Sequence, residues 1–213
     1  MRKIWIFIFL ILFIPIRVYG EELNLAENAK SAILIEASTG EVMYQKNANE
    51  RLAPASMTKI MSLILIMENI ENGNLKWNDI VVVSKNASSM GGSQILLETN
   101  EMMTVEDLVK GICIASGNDA TVALAEKIAG TEKAFVKLMN DKAKSLGLRN
   151  TNFMNSTGLD AEGHYSSAYD MSIMARELVR HEKILEFSSI YEDYLRKNTA
   201  KKFWLVNTNK VVY

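Results

Sequence analysis

Cysteine, proline and histidine are scarce in this sequence, which has one, two and two of them in 213 residues. The single cysteine, Cys113, cannot form an internal disulfide, so the fold must depend on its hydrophobic core. Isoleucines on either side of it predict a buried structural thiol. The 24 basic and 25 acidic residues balance, which gives no basic surface for nucleic acid. No His, Cys and Asp cluster has metal-ligand spacing, so we expect no metal and no other cofactor.

Long apolar runs are also few, and the longest lies at the N-terminus. After two basic residues, positions 4–16 are apolar, which is shorter than the roughly 20 residues that span a bilayer as a helix. Val18 and Gly20 are small residues placed as at a cleavage site. The pattern predicts a signal peptide over residues 1–20 and one domain over residues 21–213, with an uncleaved anchor as the alternative. Either way we expect the domain to work outside the cytoplasm.

Hydrophobic periodicity predicts the order of the secondary structure elements. The predicted elements are a hairpin from 31–38 and 41–47, a helix from 56 to about 71, a strand at 79–84, helices at 104–115, 119–129, 131–145 and 167–180, and a strand at 202–207. The helix from 56 is too uniformly apolar for a surface helix, so we expect it to be buried nearly all round. The order lacks a βαβ rhythm and indicates an α+β fold: an antiparallel sheet packed on a buried central helix, with a helical subdomain to one side.

The stretch APASMTKIM places Ser56 and Lys59 three residues apart at the start of the buried helix. Positions i and i+3 share a helix face, and the N–H groups of a first helical turn lack partners. This combines a nucleophile, a base and an anion site. Lysine can act as the base only when neutral, so desolvation must lower its pKa far below about 10.4. From spacing alone, a capping serine with a surface lysine is an equal alternative.

A second polar group lies in the turn between two predicted helices. Ser116 and Asn118, in the stretch SGNDA, can present a hydroxyl and an amide to a cleft. A hydroxyl can pass protons, and an amide can bind a substrate carbonyl.

Four stretches together resemble the D-alanyl-D-alanine carboxypeptidases of the low-molecular-weight penicillin-binding proteins. They are PASMTK, SGNDA, STGLDAEGHYSSAYDM and LVNTNK, and the resemblance covers residues 32–209. It implies a fold like that of β-lactamases and transpeptidases. It also implies that Ser56 is the acylated nucleophile and Lys59 the general base, that Ser116 relays the proton to the leaving group, and that Asn118 holds the substrate amide.

The resemblance further implies a substrate and partners. The expected substrate is a peptidoglycan stem peptide ending in D-Ala-D-Ala, whose terminal D-alanine is removed through an acyl-enzyme, and β-lactam antibiotics are expected as covalent inhibitors. The implied location is the cell wall or the outer face of the cytoplasmic membrane. A C-terminal amphipathic anchor, common in the family, would add membrane association.

One departure from the family pattern concerns its third motif, Lys-Thr-Gly, which this sequence lacks. In the family the motif follows a segment like LVNTNK, so we expect the sequence to be a fragment that lacks the last sheet strands. The missing strand would carry an oxyanion-hole donor worth about 2.7 to 4 kcal/mol in the transition state. Residues 21–213 alone are therefore predicted to be poorly active and poorly folded.

Two alternatives stay open at this point. A serine β-lactamase would share the same serines and lysine but should add a Glu-x-x-Leu-Asn segment, which does not occur here. A non-catalytic peptidoglycan-binding protein would fit the absent third motif. His164 can line the cleft, although a single loop histidine is more often simply exposed. Asp160 and Glu162 have no partner that the sequence identifies.

Overall fold

A computed structural model describes residues 25–212. Its helices are α1 Lys59–Glu71, α2 Lys85–Ser88, α3 Val105–Ala115, α4 Asn118–Ala129, α5 Glu132–Ser145, α6 Ala168–Leu178 and α7 Glu182–Ser188. Its strands are β1 Ala32–Ile35, β2 Val42–Lys46, β3 Ile80–Val82, β4 Met102–Thr104, β5 Glu192–Leu195 and β6 Phe203–Val206. A 3₁₀ turn at Ala55–Thr58 leads directly into α1. The predicted signal peptide over 1–20 lies outside the described residues and stays a prediction.

Helix α1 lies at the centre of the fold. Every residue from 61 to 67 is buried, because α1 packs against α4, α5 and α6 on different sides. Burial of one Leu or Ile side chain contributes roughly 1.5–3 kcal/mol, so this run fixes where α1 lies. The prediction of a helix buried nearly all round is confirmed, and so the residues at its N-terminus have a fixed position.

The strands form three separate antiparallel pairs within residues 25–212, namely β1–β2, β3–β4 and β5–β6. The α+β fold is confirmed, but the described strands do not form the single sheet that we expected. Strands β4 and β5 are missing from the prediction because MMT and EDYL are too short to show an alternating pattern. Their pairing depends on neighbours that are distant along the chain.

Three predicted helix starts are confirmed by their capping hydrogen bonds. The side chain of Thr104 accepts from Asp107 N–H at 3.1 Å, and that of Thr131 accepts at the start of α5. Ser167 accepts from Asp170 N–H at 3.2 Å at the start of α6. Each cap satisfies one of the N–H groups that a first helical turn leaves unpaired.

One apolar groove and one partly exposed thiol lie outside the candidate site. An apolar groove of about 550 Å³ runs between β1 and α6, with Ile33, Ile35 and Met171 among its lining residues. Within residues 25–212, no helix has the length and apolar character required to cross a membrane.

Cys113 packs against the core from α3 but is partly exposed, and burial raises the pKa of its thiol to about 12. The thiol therefore stays protonated at neutral pH.

Candidate active site

Ser56 and Lys59 meet at the N-terminus of α1, as their spacing predicts. Lys59 Nζ donates to Ser56 Oγ at 3.1 Å and to the carbonyl oxygen of Thr157 at 2.9 Å. Ser56 is exposed, whereas Lys59 is only 4% exposed. The alternative of a capping serine with a surface lysine is therefore wrong, because the core around α1 encloses the lysine side chain.

Burial also decides the charge of this lysine. It lowers the pKa of Lys59 from 10.5 to about 8, because the interior solvates an ammonium ion poorly. At pH 7 about one Lys59 side chain in ten is therefore neutral. A neutral Nζ keeps one N–H on Thr157 O and can accept the hydroxyl hydrogen of Ser56. This is the arrangement that activates a serine without a histidine.

The carbonyl that Lys59 contacts belongs to a segment over residues 153–158, which is held at several points. Ser156 N–H and Oγ both donate to Glu132 Oε1, at 3.0 and 2.7 Å. The carbonyl oxygen of Ser156 accepts from Ser62 Oγ of α1 at 2.7 Å. Sequence reasoning singled out the stretch that begins at Ser156 but did not predict the contact of its backbone with Lys59, because an acceptor on the backbone leaves no signature in the residue types.

Gly158 brings the same segment against the backbone of the 3₁₀ turn Ala55–Thr58, which we name the nucleophile turn after its candidate nucleophile Ser56. Its φ is +89°, and a Cβ placed there would lie 1.8 Å from Ala55 O and 3.0 Å from Ser56 N. Only glycine fits so close to another backbone. Ala55 itself has a φ of +48°, a left-handed conformation that costs a non-glycine residue about 1 kcal/mol or more. The surrounding contacts hold that strain directly before Ser56.

His164 lies next to this turn and is 8% exposed, so the expectation of an exposed loop histidine is wrong. Its Nε2 is 2.8 Å from Thr58 Oγ1, and Met154 N–H donates to its Nδ1 at 3.1 Å. It lines a cavity of about 400 Å³ together with Asp160 and Glu162. His164 therefore lies beside the turn that carries Ser56, and both of its ring nitrogens have partners.

The second predicted group lies where α3 ends and α4 begins, with Ser116 in the turn and Asn118 as the first residue of α4. Ser116 has a φ of +58° and ends α3. Its Oγ makes no hydrogen bond within residues 25–212. Asn118 is 4% exposed and donates from Nδ2 to Gly91 O at 2.7 Å. Its Oδ1 is buried and has no hydrogen-bond partner among the described residues. A hydroxyl and an amide oxygen thus have no hydrogen-bond partner among the described residues.

Asp119 fixes the loop that holds Asn118. This carboxylate is 1% exposed and accepts the N–H groups of Ile95 and Leu97, with its closest contact at 2.9 Å. The same loop offers Ser93 O to Asn118 N–H at 2.7 Å. A buried carboxylate with several backbone donors keeps an irregular loop in one conformation.

The loop beside Asn118 lies near the cavity next to Ala55, but the two predicted groups do not touch each other. A Cβ on Gly92 would lie 2.8 Å from Asn118 Nδ2 and 3.6 Å from the side chain of Leu159, which lines the cavity beside the nucleophile turn. No hydrogen bond within residues 25–212 links Ser116 or Asn118 with Ser56 or Lys59. In the same part of the chain, no three His, Cys, Asp or Glu side chains gather as a possible metal site.

The sequence model of the peptidase S11 family, described as D-alanyl-D-alanine carboxypeptidase, matches residues 20–213. The chain belongs to this family. The D-alanyl-D-alanine carboxypeptidase DacF of Bacillus subtilis is 64% identical over 189 residues, which are 89% of this chain and 49% of that protein. DacC of Escherichia coli is 37% identical over 96% of this chain and 52% of its own length.

Solved structures of this family show the same fold. Penicillin-binding protein 6B of Escherichia coli superimposes with a TM-score of 0.82 at 31% identity, covering 94% of this chain and 62% of that one. The D-alanyl-D-alanine carboxypeptidase DacD of Francisella tularensis gives a TM-score of 0.80 at 34% identity, covering 90% and 46%. The chain spans about half the length of the curated relatives it matches. The roles of individual site residues stay predictions.

Proposed function

We propose that this protein is a serine-type D-Ala-D-Ala carboxypeptidase that removes the terminal D-alanine from peptidoglycan stem peptides. The observation that carries the proposal is the contact of 3.1 Å between Lys59 Nζ and Ser56 Oγ, on a lysine whose pKa burial lowers to about 8. Membership of the carboxypeptidase family supports the same reaction class.

The proposed reaction is acyl transfer in two steps. Neutral Lys59 takes the hydroxyl proton of Ser56 while Oγ attacks the carbonyl between the two D-alanines. The N–H of Ser56 stabilises part of the oxyanion, because a first helical turn leaves its N–H groups unpaired. When the C–N bond breaks, Ser116 passes a proton to the amine of the leaving D-alanine. Water then hydrolyses the ester on Ser56. Its oxygen joins the acyl carbon, and one of its protons restores the hydroxyl of Ser56.

Asn118 is the group proposed to hold the substrate backbone. Its Oδ1 is buried without a partner among residues 25–212, and an unpaired buried acceptor costs about 1–3 kcal/mol. A substrate N–H that bonds to this oxygen removes that cost on binding.

No observation favours the β-lactamase alternative. The Glu-x-x-Leu-Asn segment is absent from this sequence, and the family match is to carboxypeptidases.

The proposal includes export and inhibition by β-lactams. The apolar run over residues 4–16 supports an extracytoplasmic location, at the cell wall or the outer face of the cytoplasmic membrane. Relatives named penicillin-binding proteins support covalent capture of a β-lactam by Ser56. Membrane association through an anchor beyond this sequence is part of the same proposal.

The test is intact-protein mass spectrometry over time with benzylpenicillin. Three proteins are compared: this chain, its Ser56→Ala variant, and a chain extended past Tyr213 with the corresponding residues of the Bacillus subtilis relative. We expect a stable adduct that maps to Ser56, formed faster by the extended chain, and none on the variant. Release of D-alanine from a stem pentapeptide is measured on the same samples.

Each outcome has a defined meaning. A short-lived adduct with rapid release of penicilloate would indicate a β-lactamase. An adduct without any release of D-alanine would indicate a binding protein that does not turn over its substrate. Absence of an adduct in both chains would refute the enzymatic proposal.

A further inference from the structure

We propose that His164 is a positioning residue: in its neutral form it ties the 153–158 segment to the nucleophile turn, and its protonation releases that tie and slows acylation of Ser56. This inference rests on the proposed function for its catalytic consequence. We call the two hydrogen bonds of His164, to Thr58 Oγ1 and from Met154 N–H, the tie. The tie is a property of the fold and can be measured without activity. Its basis is that both ring nitrogens of a buried histidine bridge two separate parts of the chain.

The hydrogen bonds determine which nitrogen of His164 carries the proton. Met154 N–H is a donor only, so Nδ1, at 3.1 Å from it, must offer a lone pair. The proton of a neutral ring is then on Nε2, which donates to Thr58 Oγ1 at 2.8 Å. A doubly protonated ring would put an N–H against the N–H of Met154. The bond to the 153–158 segment exists only in the neutral form.

The tie connects directly to the reacting groups. Thr58 lies in the turn between Ser56 and Lys59, and it is fully buried. At the other end, Met154 begins a stretch of backbone that reaches the carbonyl of Thr157, which accepts from Lys59 Nζ at 2.9 Å. The histidine therefore bridges the element that carries the nucleophile and the element that orients the base. Loss of the bridge leaves the contacts of Ser156 O with Ser62 Oγ and of Thr157 O with Lys59 Nζ as the remaining hydrogen bonds between the segment and these elements.

The charged groups around His164 come from two elements. Asp160 and Glu162, in its own loop, line the same cavity, and Lys59 follows Thr58 in the nucleophile turn. The ring of Phe153 packs edge-on against the imidazole at 5.9 Å between centroids. Burial lowers the pKa of His164 from 6.5, with Asp160 acting in the opposite direction. The neutral, tying form is thus the one present near neutral pH.

The expected consequence is that the plot of log acylation rate against pH becomes steeper at low pH, where His164 is protonated. We call this steeper part the second limb. Protonation of Lys59 alone gives a slope of about 1 in log rate against pH below its pKa. Protonation of His164 at lower pH adds a second proton, so the slope rises to about 2. A residue that only filled space would leave the slope unchanged.

The first experiment measures the acylation rate by benzylpenicillin from about pH 9 down to the lowest pH at which the protein stays folded, because burial lowers the pKa of His164 from its ordinary value. It uses whichever of the two chains described above is acylated. His164→Gln should be slower at neutral pH and should keep a slope of about 1 throughout. His181→Gln is the matched control: His181 is equally buried, bonds to Glu71 and lies outside the site, so the second limb should persist. A wild-type slope that never steepens, or a second limb retained in His164→Gln, would overturn the proposal.

Thr58→Val covers the case in which His164→Gln does not fold. Valine keeps the shape of threonine but removes the hydroxyl that Nε2 contacts, so the tie is cut at its other end. We expect the second limb to disappear there as well. Persistence of that limb in Thr58→Val would count against the proposal.

The second experiment needs no catalysis and separates the two proposals. In His181→Gln, His164 is the only histidine, so its ¹⁵N spectrum reports one ring. We expect the neutral Nε2–H tautomer at pH 7, and a wild-type stability that falls more steeply than that of His164→Gln as the pH drops below about 6.5. The Nδ1–H tautomer or a charged ring would refute the tie. If neither chain is acylated but the tautomer is as expected, the proposed function fails and the tie remains.

Discussion

The candidate site has two sides, one around Ser56 and Lys59 and the other around Ser116 and Asn118. They differ in how many of their polar atoms have hydrogen-bond partners within residues 25–212. On the nucleophile side, Lys59 Nζ has two acceptors, and the segment behind it is bonded to Glu132 and to His164. On the other side, Ser116 Oγ makes no hydrogen bond within residues 25–212, and Asn118 Oδ1 is buried without one. The first side has its polar atoms paired, whereas the second, called the open side below, has two polar atoms without a partner among the described residues.

This difference separates two tasks of an acyl-transfer site. A serine and its base must be held in reacting geometry before the substrate arrives, since a misplacement of about 1 Å can cost 10²-fold in rate. Groups that bind substrate must instead keep their hydrogen-bonding capacity free. A rigid loop meets this need, because Asp119 holds the chain around Asn118 without using the amide oxygen.

The largest effect is expected from the base. Lys59→Ala should slow acylation by about 10⁴-fold, because the hydroxyl of Ser56 then has no proton acceptor. Lys59→Arg keeps the positive charge but cannot lose it, so it should be nearly as slow. Rates are measured with benzylpenicillin by mass spectrometry. An active Lys59→Arg protein would show that charge, and not base strength, is what this side supplies.

The next effect tests the close backbone contact on the same side. Gly158→Ala should destabilise the protein by about 3 kcal/mol and slow acylation by about 10²-fold, because its Cβ would lie 1.8 Å from Ala55 O. Gly147→Ala is the control, since its φ is +72° and a Cβ there meets nothing within 4 Å. It should show only the conformational cost of about 1 kcal/mol. If urea unfolding showed the same loss of stability for both variants, the close contact of residue 158 with Ala55 O would not be the cause.

The open side should respond in rate but not in stability. Ser116→Ala should slow acylation by about 10²-fold, because the proton relay is lost. Its free energy of unfolding should change by less than about 0.5 kcal/mol, since the hydroxyl has no partner within residues 25–212. Ser116→Gly removes the same hydroxyl and relieves the left-handed backbone. A large loss of stability in Ser116→Ala would show that this side is not open.

The smallest effect is the response to pH near neutrality. Because burial lowers the pKa of Lys59 to about 8, acylation should level off above about pH 9 and fall about fivefold between pH 8 and pH 7. The direction follows from the need for the neutral amine, which is lost as the pH falls. A rate that is constant over this range would place the pKa of the base well below 7.

Much of this arrangement could be predicted from the residues. The spacing of Ser56 and Lys59 on a buried helix gave their contact, and the turn between two helices gave the position of Ser116 and Asn118. Capping serines and threonines marked three helix starts. The pairing of β4 and β5 was missed, because such short strands are defined by partners distant along the chain.

The sequence by itself determined which groups are the candidates for the chemistry, where the buried helix lies and the family to which the chain belongs. Only the tertiary structure decided the state of those groups. The pKa of Lys59, the acceptor at Thr157 O and the tautomer of His164 all depend on chain segments about a hundred residues apart coming together. Desolvation and backbone hydrogen bonds act through space, so residue types and their spacing do not encode them locally.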